Sequence, residues 1–144
     1  MTAVGARVVT DQAELAAAYA VRHAVFVVEQ GVPVELERDD EDARADHAVG
    51  DVDGQLVAAG RLVRRGSTGL VGRMAVLPAA RRRGVGSAVL AVLEERARER
   101  GLAEVELHAQ VSAREFYQRL DYAAYGEEYD EAGIRHVSMR KPLL

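Results

Sequence analysis

A basic, glycine-containing segment in the middle of the chain has the residue types of an anion-binding turn. It follows a predicted strand that Pro78 ends, and it precedes an apolar stripe with helical spacing that begins at Val85. The first N–H groups of a helix lack partners, and glycines let a ligand approach the main chain closely. The segment therefore predicts a cradle for a phosphate or pyrophosphate group, while a solvated loop explains the same spacing equally well. Its residues are Arg81, Arg82, Arg83, Gly84, Val85, Gly86 and Ser87.

Tyr117 is a candidate proton donor on a helix predicted from Ser112 to Leu120. A phenolic hydroxyl has an unperturbed pKa of about 10, so it stays protonated at neutral pH and can protonate a leaving group. From the residues alone, packing of the ring beside Phe116 is the favoured interpretation.

Absent and rare residue types exclude several kinds of chemistry. The sequence has no cysteine, which excludes a disulfide framework, a thiolate zinc site and a covalent thiol mechanism. Lys141 is its only lysine, so neither a Schiff base nor a P-loop is expected. The four histidines are scattered along the chain, and no metal site is expected.

Hydrophobic periodicity predicts the elements that position these residues. Asp11 followed by Glu14 is typical of a helix start, and this first helix is expected to reach Arg22 and continue to Glu29. A further helix is expected after Gly84. The predicted strands are Ala6–Val9, His47–Val52, Gln55–Arg65, Leu70–Leu77, Glu104–Ala109, Tyr122–Tyr129 and Ile134–Arg140. This order predicts an α/β fold, a mixed sheet flanked by helices on both faces.

Negative charge is concentrated between Glu35 and Asp46, where seven carboxylates stand against two arginines. So charged a run is expected to stay out of the core and to form a solvated face. A competing hypothesis places it beside the entrance for a cationic substrate, whose encounter rate it would raise.

Length and composition indicate a single globular domain over residues 1–144. The formal net charge of -4 opposes general nucleic-acid binding, because such binding needs an excess of lysine and arginine. A nucleic-acid face would also need the Arg81 to Arg83 cluster to join Arg61, Arg64, Arg65 and Arg73. The sequence contains neither a secretion signal nor an apolar run long enough to cross a bilayer, so a cytoplasmic location is expected.

Two motifs resemble the GNAT superfamily of acyl-CoA-dependent N-acetyltransferases in their order and spacing. They are Arg81-x-x-Gly84-x-Gly86 after a strand ending in Arg73-Met74-Ala75-Val76, and Ala113-x-x-Phe116-Tyr117-x-x-Leu120. Within the superfamily the chain resembles the ElaA/YjcF-like subgroup over nearly its whole length. The sequence segments that show this resemblance are Val25-Phe26-Val27-x-Glu29-Gln30-Gly31-Val32-Pro33, Gly72-Arg73-Met74-Ala75-Val76, Leu107-His108-Ala109-Gln110 and Glu131-Ala132-Gly133-Ile134-x-His136.

The resemblance implies a mostly antiparallel twisted sheet with an acetyl-CoA site along its fourth strand. The thioester would lie beside Met74, Ala75 and Val76, and the pyrophosphate on the segment from Arg81 to Ser87. Tyr117 would protonate the departing thiolate.

Direct attack of a substrate amine on the thioester within one ternary complex is the mechanism expected for this residue set. Because a free amine is mostly protonated at neutral pH, a base or a water chain must first remove a proton. Glu29 and His108 are the leading candidate bases, ahead of His136 and the acidic run, although each also has a purely structural interpretation.

The sequence leaves alternative functions and the identity of the partners open. A non-catalytic module that binds or senses acyl-CoA is the main alternative, and an interaction domain with an empty groove is another. The acceptor is expected to be a small-molecule or peptide amine. An unpaired edge in the terminal hairpin makes a homodimer compatible with the sequence.

Overall fold

The computed structural model describes residues 2–143, and seven strands in one sheet form its centre. The strands are β1 (Val4–Val8), β2 (Asp46–Val52), β3 (Gln55–Arg65), β4 (Thr68–Val76), β5 (Glu104–Gln110), β6 (Ala123–Glu131) and β7 (Ile134–Pro142). The α-helices are α1 (Gln12–Arg22), α2 (Val34–Glu37), α3 (Val85–Glu99) and α4 (Arg114–Arg119). A π-helix (His23–Glu29) extends α1, and 3-10 turns cover Asp40–Ala43, Pro78–Ala80 and Val111–Ala113.

Strand order in the sheet is β1-β2-β3-β4-β5-β7-β6. All neighbours are antiparallel except β4 and β5, which are parallel because α3 connects them as a crossover. The expected mixed, mostly antiparallel sheet and the predicted order of elements are therefore confirmed.

Helix α1 starts as its sequence predicts. The Asp11 carboxylate accepts a hydrogen bond from the Glu14 backbone N–H at 2.8 Å, and Glu14 in turn accepts from the Thr10 N–H at 2.9 Å. The predicted continuation to Glu29 is present but is wound as a π-helix. Gly31 then adopts a φ of 74°, which ends the helical run.

Helices cover both faces of the sheet, as expected. Alternate residues of a strand point to opposite faces, so neighbours in β2 and β3 enter different cores. On one face α1 and the π-helix pack through Ala18, Val21 and Val25 on Val49, Ala59 and Ala75. On the other face α3 packs through Val85, Val89, Leu90 and Leu93 on Ala48, Ala58 and Leu62.

The expectation that the acidic run is a solvated face is wrong for two of its carboxylates. Glu37 and Asp42 have relative exposures of only 3% and 8%. Both are bound by Arg22, whose own exposure is 1%. The run is charged yet partly buried because guanidinium groups from α1 and the sheet, far away in sequence, neutralise it.

Strands β1 and β6 form the two edges of the sheet. The predicted terminal hairpin is present as β6 and β7, and Asp121 makes the turn before it with a φ of 73°. A homodimer that pairs β6 strands is compatible with this topology and stays a prediction. Within residues 2–143, no helix has the length and apolar character needed to span a membrane.

Candidate active site

The parallel strands β4 and β5 separate halfway along their length. Their pairing runs from Thr68 opposite Glu104 to Val71 opposite Leu107. Beyond that point, among the described residues, β4 pairs only with β3 and β5 only with β7. The result is an opening between the end of β4, residues 72–76, and the end of β5, residues 108–110.

A β-bulge in β4 accompanies this separation. Ala59 lies opposite Ala75, but Arg61 lies opposite Gly72, so β4 contains one residue more than β3 over this stretch. Arg73 in the bulge has a φ of 54°, which is uncommon for a residue with a side chain. Bulges increase the local twist of a strand, and this one bends β4 where it leaves β5.

The basic, glycine-containing segment lies between the end of β4 and the start of α3, as predicted. Gly84 caps α3 with a φ of 86°, a conformation that glycine adopts without strain. The first backbone bond of the helix runs from the Ala88 N–H to the Gly84 carbonyl. The three N–H groups before it, those of residues 85–87, are therefore available to an anion.

Gly86 brings the turn into contact with the site's other elements. A Cβ atom built on Gly86 would lie 3.4 Å from Val76 Cγ2 and 3.6 Å from Phe116 Cζ. The start of α3, the end of β4 and helix α4 therefore meet at this glycine.

Tyr117 on α4 is 7% exposed and packs its ring at 5.0 Å from Phe116 and 5.9 Å from Tyr122. Burial raises the pKa of the Tyr117 hydroxyl to about 12. The group therefore stays protonated throughout the neutral and mildly basic range, which suits a proton donor.

Glu29 and Arg81, predicted for separate roles, bind each other. The Glu29 carboxylate accepts two hydrogen bonds from the Arg81 guanidinium, at 2.7 and 2.9 Å. Arg81 Nε also donates to the Val76 carbonyl at 2.9 Å. The hydrogen bond from Arg81 lowers the pKa of Glu29, which makes this carboxylate a weaker base.

A second bridge, which the sequence reasoning missed, joins Gln30 to the end of β5. Its side-chain oxygen accepts from Gln110 Nε2 at 2.8 Å. Consecutive residues at the end of the π-helix thus bind Arg81, beyond the end of β4, through Glu29 and the end of β5 through Gln30. Both glutamines lie in strings that resemble the ElaA/YjcF-like subgroup, but no spacing signal links residues 80 positions apart.

His108 lies on a sheet face that carries polar and aromatic side chains. Val105, Leu107 and Ala109 of β5 belong to the core beneath α3, so the alternating His108 points to the opposite face. Its side chain is 37% exposed, and its Nε2 lies 3.4 Å from Glu106 Oε2. The Tyr129 ring stands edge-on to His108 at 6.0 Å and stacks on His136 at 6.0 Å.

The joint basic face that nucleic-acid binding would require is not formed. Arg61 and Arg73 are held by Asp39 and other groups of the acidic run, so they do not join Arg81 to Arg83 in one basic face. Across residues 2–143, no three His, Asp or Glu side chains cluster as metal ligands.

Sheet topology, the opening between the parallel strands and the basic turn before α3 together define a GNAT-type fold. Residues 7–143 match the Acetyltransferase (GNAT) domain family, and the chain belongs to that family.

Its relatives include the uncharacterized N-acetyltransferase YjcF of Bacillus subtilis, which is 36% identical over 132 residues, 91% of this chain and 94% of that protein. The structure of ElaA from Escherichia coli superimposes with a TM-score of 0.81 at 28% identity, covering 98% of this chain and 99% of that one. An acyl-CoA N-acyltransferase from Pseudomonas aeruginosa gives a TM-score of 0.79 at 31% identity, with the same coverage. Resemblance to the GNAT superfamily and its ElaA/YjcF-like subgroup is thereby confirmed.

Proposed function

We propose that this protein is an N-acetyltransferase that moves the acetyl group of acetyl-CoA to a primary amine by direct attack in a ternary complex. The observation that carries the proposal is the opening between β4 and β5, which leads to the glycine-capped start of α3. Family membership supports acyl transfer in general. The Pseudomonas aeruginosa relative, named as an acyl-CoA N-acyltransferase, supports acyl-CoA as the donor.

The residues around the opening suit the parts of such a donor. Arg82 and Arg83 are exposed and form no ion pair within residues 2–143, whereas Arg81 is occupied by Glu29. We therefore assign Arg82 and Arg83 to the phosphates and Arg81 to fixing the rim of the site. The other proposed donor contacts are Met74, Ala75, Val76, Gly84, Val85, Gly86 and Ser87.

The chemistry needs one bond made and one broken. The amine nitrogen attacks the thioester carbonyl carbon, a C–N bond forms and the C–S bond breaks. Backbone N–H groups of the segment 74–76 would stabilise negative charge on the carbonyl oxygen. Tyr117, kept protonated by burial, would give its proton to the departing thiolate.

His108 is the better-placed of the two leading base candidates. Glu29 already accepts two hydrogen bonds from Arg81, whereas His108 is partly exposed on the open face beside Glu106. We propose that an amine reaches the opening across this face and loses its proton to His108, directly or through water. The acceptor is a small-molecule or peptide amine, and a cytoplasmic location is part of the same proposal.

Release of free thiol from acetyl-CoA, measured with a panel of primary amines, tests this function. We expect release that depends on the amine, and a fall of about 100- to 10,000-fold in kcat for Tyr117→Phe with coenzyme A binding retained. Tyr19→Phe, which removes a hydroxyl from α1, is the matched control and should keep its activity.

Three outcomes would change the conclusion. Coenzyme A binding without thiol release for any amine would favour the acyl-CoA-sensing alternative. Failure to bind coenzyme A would overturn both functions. Full activity of Tyr117→Phe would assign protonation of the thiolate to water.

A further inference from the structure

We propose that a network of six charged side chains positions the bulge of β4, and with it the backbone at residues 74–76. This inference rests on the proposed function, because that backbone is where the thioester would lie. Four members are buried, and the other two lie at the outer side of the network. The members of this arginine–carboxylate network are Arg22, Glu37, Asp39, Asp42, Arg61 and Arg73.

Arg22 at the end of α1 is the centre of the network. Its guanidinium donates to Glu37 Oε2 at 2.8 Å and to the two Asp42 carboxylate oxygens at 2.7 and 3.1 Å. It also donates to the Glu37 backbone carbonyl at 2.9 Å. The connection from α1 to β2 is therefore fixed to α1 by directional bonds.

Arg61 ties the same connection to the sheet. From β3 it donates to the Asp39 carboxylate oxygens at 2.7 and 3.0 Å and to Asp42 Oδ1 at 2.8 Å. Asp42 thus accepts from guanidinium groups of both α1 and β3. Three arginines and three carboxylates balance, so the network carries no net charge into the interior.

Arg73 extends the network to the bulge. Its side chain donates to the Glu37 carbonyl at 3.0 Å, to the Leu36 carbonyl at 3.2 Å and to Asp39 Oδ2 at 3.3 Å. The two carbonyls belong to the last residues of α2, where helical carbonyls lack helical partners. Arg73, whose backbone has a φ of 54°, therefore joins the end of α2 to β4 at the position immediately before Met74.

Such a network is better explained by positioning than by stability. Apolar residues of similar volume often stabilise a fold as well as a buried ion cluster does, whereas paired charges require one geometry. Here that geometry links α1, α2, β3 and the bulge of β4. Its consequence is a fixed backbone at residues 74–76, and Arg73 is accordingly a positioning residue.

Amide hydrogen exchange on the full chain tests the proposal with two variants of one residue. Arg73→Met removes the donors and keeps the bulk, while Arg73→Gly removes the donors and relieves the backbone. In both variants we expect residues 34–43 and 74–77 to exchange at least ten-fold faster, while α3 keeps its protection. Arg64→Met, an exposed arginine of β3 outside the network, is the control and should match the wild type.

Kinetics separate positioning from a purely structural role. We expect the two Arg73 variants to lose about 10- to 100-fold in kcat, with the KM for acetyl-CoA changed less than about two-fold. Arg73→Lys, which keeps one charged donor group, should recover part of both the protection and the kcat.

Each contrary result has its own meaning. Unchanged exchange at residues 74–77 in both variants would overturn the positioning role, whatever the activity. Faster exchange with an unchanged kcat would overturn its catalytic consequence. A wild type that transfers no acetyl group would refute the proposed function, while the exchange data would still decide whether the network holds the bulge.

Discussion

At the scale of single residues, the Glu29–Arg81 pair changes the roles that their types suggest. A glutamate near a cleft is a plausible base, and an arginine in a basic turn is a plausible phosphate ligand. Bound to each other by two hydrogen bonds, they form a rim that also holds the Val76 carbonyl. The pairing makes Glu29 a weaker base and leaves the Arg81 guanidinium already paired with a carboxylate.

This pairing predicts different effects for the two candidate bases. We expect His108→Gln to lower kcat about 100-fold, the lower end of a general-base contribution. Glu29→Gln should lower kcat less and act mainly on the KM for acetyl-CoA, because it loosens Arg81 at the end of β4. Steady-state kinetics with a saturating amine measure both effects. A larger fall in kcat for Glu29→Gln than for His108→Gln would reverse the assignment.

At the scale of secondary structure, β4, α3 and α4 meet at the proposed donor site. Three elements approach at Gly86, where even a methyl group would touch Val76 and Phe116. A methyl group at this point would fill the space between these elements in ordinary van der Waals contact, so a larger side chain has to extend toward the start of α3.

Gly86→Val tests this junction. Two methyl branches on Cβ should project into the space before α3 and abolish detectable coenzyme A binding in calorimetry, while the protein stays folded. Gly86→Ala, whose Cβ meets only ordinary van der Waals contacts, is the control and should bind at most about ten-fold more weakly. Undiminished binding by a folded Gly86→Val protein would remove the turn from the donor site.

At the scale of the whole molecule, charge distribution matters more than the net charge of -4. Two of the seven carboxylates between Glu35 and Asp46, those of Glu37 and Asp42, are buried against Arg22 rather than facing solvent. Burial alone would raise the pKa of Asp42, but hydrogen bonds from Arg22 and Arg61 outweigh it and hold that pKa well below its usual range. The hydrogen bond from Arg61 likewise lowers the pKa of Asp39.

These shifts predict stability that is lost in acid. Below about pH 5 the unfolded chain begins to take up protons on carboxylates that stay ionised in the folded protein. The free energy of unfolding, measured with urea, should therefore fall steadily as the pH drops from about 5 to 2.

Asp42→Asn provides the test, with Asp40→Asn as its exposed neighbour and control. Loss of Asp42 should cost about 3–5 kcal/mol at pH 7, because two buried guanidinium groups lose a shared partner, and it should make the acid dependence shallower. Asp40→Asn should change the free energy of unfolding by less than about 0.5 kcal/mol. An equal acid dependence in the wild type and Asp42→Asn would contradict the assignment.

Local patterns in the sequence were sufficient for the order and approximate bounds of the elements. The alternation in β5, the stripe of α3 and the Asp11 cap each depend on neighbours within about one helical turn or a few strand residues. The turn before α3 was predictable for the same reason, since its glycines and its position after Pro78 are local. Motif resemblance added the family, which the comparison with relatives confirms.

Only the tertiary structure decided which polar side chains meet. Arg22 and Asp42 are 20 positions apart, Glu29 and Arg81 are 52 apart, and Gln30 and Gln110 are 80 apart. No periodicity encodes such pairs, because the distance between their members depends on how elements far apart in sequence pack together. The sequence by itself determined the elements and the glycine-containing turn before α3, whereas the tertiary contacts of Arg22, Arg61 and Arg73 determined which carboxylates are buried.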